Sequence, residues 1–218
     1  MKKDYTDITI LLDRSGSMLS IKEDTIGGIK TFVDEQKKLP GKCLLTLYQF
    51  DNESFDTVLE GVPIGTVESV GLEPRGCTPL LDSLFKAITN TGERLKAIPE
   101  DERPEFVVFM IVTDGQENAS KEVKLDQVKN SIKIQSDIYK WHFTYLGANQ
   151  DAFAEAGGMG IAQAGTMTFA ANSAGVSAAY MATSRATRDL RTGASMAMCY
   201  TAEEHEQQRK AGVKPSTT

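Results

Sequence analysis

Residues 106–112 read Phe-Val-Val-Phe-Met-Ile-Val, a run of apolar side chains with no polar break. A bilayer span takes about 20 such residues, so this run is far too short to cross one. It also has no polar stripe to turn toward water, and both of its faces must be covered. A central strand of a parallel sheet, with helices packed above and below, meets that demand. One element thus pushes the whole chain toward an α/β fold.

The flanking sequence fills in the pattern. Asp7 to Leu12 is a second short apolar run, suited to a buried parallel strand. Ile26, Ile29 and Val33 recur at helical spacing, and Pro40-Gly41 ends that stretch. Strands are expected at about 43–50 and 55–62. Their link, Asp51-Asn52-Glu53-Ser54, is so short that they form an antiparallel hairpin. A helix is expected to open at Pro79, with Thr78 as candidate cap and Leu80, Leu81, Leu84, Phe85 and Ile88 as its buried stripe. Pro99 and Pro104 bracket an acidic loop. Val123, Val128 and Ile132 mark a third helix. Tyr139, Trp141, Phe143 and Tyr145 alternate as in a strand that ends at Leu146-Gly147-Ala148-Asn149.

A short helix near 150–157, a glycine-rich turn, a strand near 166–170 and a helix near 173–190 complete the reading. The fold class is α/β: a Rossmann-like, mostly parallel sheet with one antiparallel edge strand and helices on both faces. The domain is expected to cover residues 1–190, with 191–218 as a polar C-terminal tail.

A net charge of -6 argues against general affinity for nucleic acid, which needs concentrated Lys and Arg. No membrane insertion is expected, because the run Ile8 to Leu12 is broken by Thr9 and is too short even for a signal-peptide core. A cytoplasmic location is the corresponding expectation. Cys43, Cys77 and Cys199 are widely spaced and form no C-x-x-C pair, so reduced thiols are expected rather than a zinc ribbon or a disulfide framework.

In open parallel sheets, ligands bind where loops gather at the carboxyl ends of the strands. Two such loops carry polar clusters: Asp13-Arg14-Ser15-Gly16-Ser17 after the first strand and Thr113-Asp114-Gly115 after the central one. If those strands are neighbours, Asp13 and Asp114 face each other, and two carboxylates that close resist ionising together. A dication removes the conflict. Asp13, Ser15 and Ser17 lie two residues apart, so a roughly extended segment points their oxygens the same way, with Gly16 allowing a tight turn between the serines. Thr78 adds a hydroxyl from a neighbouring loop. A donor set of oxygens alone suits a hard cation such as Mg²⁺ or Mn²⁺. Two carboxylates roughly neutralise it and leave a position for water or an incoming carboxylate.

The segment ILLDRSGSM resembles the D-x-S-x-S signature of the metal-ion-dependent adhesion site in von Willebrand factor A domains. GCTPL resembles that family's second loop and IVTDG its third, in the same order along the chain. The resemblance implies a von Willebrand factor A fold over about residues 7–190. It implies Asp13, Ser15 and Ser17 as first-loop metal ligands, Thr78 as the second-loop ligand, and Asp114 as the third-loop ligand, direct or through water. It further implies a non-catalytic module whose protein partner completes the metal shell with an acidic residue. Intracellular bacterial and phage-encoded members often serve as adaptors or assembly parts, sometimes beside AAA+ ATPases. The alternative is a structural subunit of a larger assembly, in which the metal only stabilises the loops.

Other readings fit less well. Ser15 as a nucleophile lacks the G-x-S-x-G elbow, and only His142 and His205 could serve as base. A haloacid-dehalogenase-like phosphatase needs a second Asp where Ser15 stands. Gly157-Gly158-Met159-Gly160 fits a dinucleotide loop poorly and reads better as a tight turn. Cys77 reads as a small filler rather than a redox sensor. Glu117 and Asp51 read as solvated loop carboxylates outside the ligand set, and the late methionines as helix packing.

Overall fold

The computed structural model describes residues 1–148 and 151–213. Strands β1 (Lys2–Asp13), β2 (Lys42–Phe50), β3 (Phe55–Pro63), β4 (Pro104–Thr113), β5 (His142–Ala148) and β6 (Thr166–Phe169) form one sheet in the order β3-β2-β1-β4-β5-β6. All pairings are parallel except β2 with β3. The helices are α1 (Lys22–Lys37), α2 (Leu80–Lys96), α3 (Leu125–Asp137), α4 (Ala152–Gly158), α5 (Ser173–Arg191) and α6 (Ala202–Ala211).

Strand alternation divides the core in two. Ile8, Ile10 and Leu12 of β1 and Val108, Met110 and Val112 of β4 pack with α1 and α5 residues such as Phe32 and Tyr180. Leu11, Phe109 and Ile111 point the other way, against Leu84 and Ile88 of α2 and Val128 and Ile132 of α3. Side chains of one parity share a face. Asp13 and Thr113 therefore emerge on the α2–α3 side. The same face of β1 carries polar groups matched by α2. Asp7, fully buried, takes two hydrogen bonds from Arg94 (Nη1–Oδ2 2.8 Å, Nη2–Oδ1 2.7 Å), and the Thr9 and Thr91 hydroxyls meet at 3.3 Å.

The chain leaves β1 toward α1 on one face and leaves β4 toward α3 on the other. The two loops diverge between adjacent strands, which opens a crevice at the carboxyl end of the sheet.

Three expectations need correction. First, β1 starts at Lys2, well before Asp7, because Tyr5 and Thr6 are also buried and paired with β2. Second, residues beyond 191 are not all tail: Met198 and Tyr200 are buried, and Thr201 caps α6. Helix α6 docks by polar contacts. The buried Gln208 carboxamide accepts from the Ala170 N–H and donates to the Gly175 carbonyl, and Glu204 pairs with Arg185. A helix held this way has no apolar stripe, so hydrophobic periodicity misses it. Third, Thr78 does not cap α2. Pro79 occupies that position without a side-chain bond, and the Leu81 and Asp82 N–H groups are taken by Glu117 Oε2 and Ser120 Oγ. The expected end of β5 at Asn149 and the start of a helix near 150 lie outside the described residues. Among the described residues, no helix is long and apolar enough to cross a membrane.

Candidate metal centre

Each of the five expected side chains is placed by its own local structure. Asp13 closes β1, and its Oδ1 accepts the Ser15 N–H at 2.7 Å, an Asx-type turn that starts the bend of the loop. Ser15 is extended (φ -64°, ψ 163°), and a 3-10 helix then runs from Gly16 to Ile21. The first loop is thus not extended throughout: alternation carries Asp13 and Ser15, and the helical turn brings Ser17 back beside them. Gly16 needs no unusual dihedral. Its value is close approach, since a Cβ there would sit 3.4 Å from the Gly76 carbonyl, which accepts the Gly16 N–H. Gly76 itself has φ +66°, and a Cβ on it would strike Asn52 Oδ1 at 2.0 Å. This turn locks the second loop against the first and delivers Thr78 at the head of α2.

The five side chains come together. Ser17 Oγ donates to Asp114 Oδ1 at 2.7 Å and lies 3.1 Å from Ser15 Oγ. Gly115 marks the centre of the gap. A Cβ built on it would lie 2.9 Å from Thr78 Oγ1, 3.6 Å from Ser17 Oγ and 3.7 Å from Asp13 Oδ2. Oxygens of the first and second loops therefore approach one point on the third loop that only the missing side chain of a glycine leaves open. Among the described residues, no three His, Cys, Asp or Glu side chains are grouped to hold a metal. The cluster has two carboxylates and draws its other oxygens from hydroxyls, which is a donor set for a hard cation.

Its electrostatics are uncomfortable. Burial pushes the Asp13 carboxyl up to about 6, against the hydrogen bonds from Thr113 and Ser15, and nearby Asp114 adds to the rise. Asp114 is also raised by burial, with its Ser17 hydrogen bond opposing. Two carboxylates held this way favour a neighbouring positive charge.

Sequence reasoning missed Thr113, whose hydroxyl donates to Asp13 Oδ2 at 2.6 Å. The signal was present: Thr113 shares the parity of Phe109 and Ile111, the face on which Asp13 emerges. It also misjudged Asp51, which is buried, and Glu117, which is half-buried with its carboxylate taken up by N–H groups. Asp51 Oδ2 accepts from Arg14 Nε (2.8 Å) and Arg75 Nε (2.9 Å), tying the first loop to the second. Glu117 holds the start of α2 and the Ala119 and Ser120 N–H groups. Asp82 of α2 reciprocates by accepting from Lys121, Glu122 and Val123. These acids build the loops and do not face the gap. Cys77 is exposed, and Gly160 (φ +84°) forms a turn after α4.

No protein-family profile matches the chain, and no curated protein matches its sequence. Solved structures do match in shape. A von Willebrand factor type A protein from Catenulispora acidiphila superposes with TM-score 0.55 at 13% identity, over 85% of this chain and 43% of that one. The manganese-loaded TRAP protein of Plasmodium vivax gives 0.54 at 12%, over 78% and 70%. The SpRpn10 VWA domain gives 0.53 at 11%, over 79% and 92%. The chain spans less than half of the first of these. It has the von Willebrand factor A fold, as its strand order and antiparallel edge strand show.

Proposed function

We propose that the three loops hold one divalent cation, Mg²⁺ or Mn²⁺, through Asp13, Ser15, Ser17, Thr78 and Asp114, and that the chain is a non-catalytic module that binds a protein partner through it. The observation that carries this reading is the convergence of Asp13, Ser17 and Thr78 oxygens on the open space at Gly115. A bound cation would supply positive charge and a free coordination position able to take an acidic side chain from the partner. The chain's own residues do the rest. Thr113 and the Ser15 N–H orient Asp13 before any ion arrives, and Ser17 orients Asp114. The manganese carried by the Plasmodium vivax TRAP structure supports the cation class.

A binding role is favoured over catalysis by what surrounds Ser15. His142 opens β5 beside Phe106, at the far end of the sheet, and His205 sits on α6 between Phe153 and Tyr200. Neither ring reaches the loops, so Ser15 has no imidazole base. We place the chain in the cytoplasm as an adaptor or assembly factor. The test is calorimetric titration of Mn²⁺ and Mg²⁺ into the wild type, Asp13→Ala and Thr78→Ala, each checked for folding by circular dichroism. Saturable binding by the wild type that both variants lose supports the reading. A wild type that takes up neither ion removes the metal from it.

A further inference from the structure

At the opposite end of the sheet, the C-terminal halves of α2 and α3 and the start of β4 line a half-open cavity of about 660 Å³. That size falls in the ordinary range for small-ligand sites. Its floor is apolar and buried: Ile88, Leu95, Val107 and Trp141, each at 6% exposure or less. Trp141 is fixed by stacking on Phe109, with ring centroids 6.3 Å apart and planes 12° from parallel. At the mouth, Ile138 and Tyr139 are left 66% and 55% exposed. Large apolar side chains in water around an apolar floor mark a surface that gains by being covered.

The rim selects the occupant by charge. Lys96, Arg103 and Lys140 line it, against Glu93 and Glu100. Glu93 lies 4.0 Å from Lys96, too far for a strong pair, and both of these side chains are at least 70% exposed. Arg103 is held in place: Nε donates to the Ile98 carbonyl at 2.9 Å and Nη2 to the Lys96 carbonyl at 3.2 Å. Nη1 makes no hydrogen bond among the described residues. A guanidinium fixed by two contacts with a free N–H is organised to receive an anion. On a chain whose net charge is -6, a rim with more cations than acids stands out.

We propose that this cavity is a second binding site, separate from the metal loops, for a small free anion with an apolar tail, such as an aliphatic carboxylate. The tail would lie on Ile88, Leu95, Val107 and Trp141, and the head would meet Arg103.

Trp141 is the sole tryptophan of the sequence, so emission excited selectively at the red edge, where the six tyrosines hardly absorb, reports on the cavity. Octanoate is titrated in EDTA, with octylammonium as the opposite-charge control. The expected result is a saturable change in Trp141 emission with octanoate, and binding of octylammonium roughly tenfold weaker or worse. Ser131→Phe, which fills the cavity from α3, abolishes the octanoate response. Arg103→Gln weakens it about tenfold and keeps the apolar floor, so the test stands even if the bulkier variant folds poorly by circular dichroism. No saturable change with octanoate overturns the proposal. So does octylammonium binding as tightly, or a folded Ser131→Phe that binds octanoate unchanged.

Discussion

The Thr113 hydroxyl reaches across from β4 to Asp13 at the end of β1, donating to Oδ2 at 2.6 Å while the Ser15 N–H holds Oδ1 at 2.7 Å. Asp13 is therefore aimed before it has a counter-charge. Its carboxyl is fully buried, and its near neighbours are hydroxyls and another acid, Asp114. A charge kept out of water without a cation costs stability.

That cost yields the first prediction. Asp13→Asn keeps the shape and removes the charge. In EDTA at about pH 7.5 it should raise unfolding stability by about 1 kcal/mol in urea denaturation. The same variant should lose Mn²⁺ binding in calorimetry. A less stable variant would show that the Asp13 charge is well compensated in the free protein.

Gly115→Ala places a methyl group 2.9 Å from Thr78 Oγ1 and inside 4 Å of Ser17 and Asp13 oxygens. Gly115 has no positive φ, so alanine fits the backbone. Folding should survive, with a loss of about 1 kcal/mol or less. Cation affinity should fall at least about tenfold. Equal affinity in the two proteins would place the ion elsewhere.

The Asp7–Arg94 pair joins β1 to α2 inside the core. Asp7→Ala strands a largely buried guanidinium and should cost about 3 kcal/mol in urea unfolding. The double variant Asp7→Leu with Arg94→Met should recover most of that loss, because no charge is left behind. If the single variant is mild, water reaches Arg94 through its partly exposed side chain.

His142 sets a pH dependence. Burial against Phe106 holds its imidazole below the ordinary value of 6.5. The folded state favours the neutral ring, so the unfolded chain takes up a proton first as pH falls. The stability tied to this ring is intact above 6.5 and is lost as pH falls through the lower folded value. Relative to wild type, His142→Gln should therefore gain stability between about pH 7.5 and pH 5.5. Taking the difference between the two proteins cancels the other titrating groups. A difference that stays flat with pH would mean the ring is solvated.

Gln208 tests the docking of α6. Gln208→Ala leaves the Ala170 N–H and the Gly175 carbonyl without their partner. It should cost about 2 kcal/mol and speed amide hydrogen exchange across residues 202–211. Unchanged exchange would mean that the Arg185–Glu204 pair and the Asn172–Ala211 hydrogen bond hold α6 without Gln208.

The readable parts of this chain were those written in one local pattern. The apolar run at 106–112 and the Asp51–Ser54 link predict β4 and the β2–β3 hairpin, and Asp13-Arg14-Ser15-Gly16-Ser17 with Thr78 and Asp114 marks the cluster that the fold assembles. What escaped were contacts between segments far apart in the sequence. Asp7 gives no hint that Arg94 waits above it, and Glu117 none that it holds the first turn of α2. Periodicity reports apolar burial, so a helix such as α6, fastened through the Gln208 and Asn172 carboxamides and the Arg185–Glu204 ion pair, leaves no trace in it.

The anchor points of the loops owe nothing to the loops themselves. β1 is hydrogen-bonded to β2 and β4, and β4 to β1 and β5, so the sheet fixes where Asp13 and Thr113 end. Foreign side chains placed at the exposed positions Leu19, Ser20, Gln116 and Lys121 would meet a scaffold already set, whereas Met18 and Ile21, buried in the core, and Glu117, which holds the start of α2, have to stay.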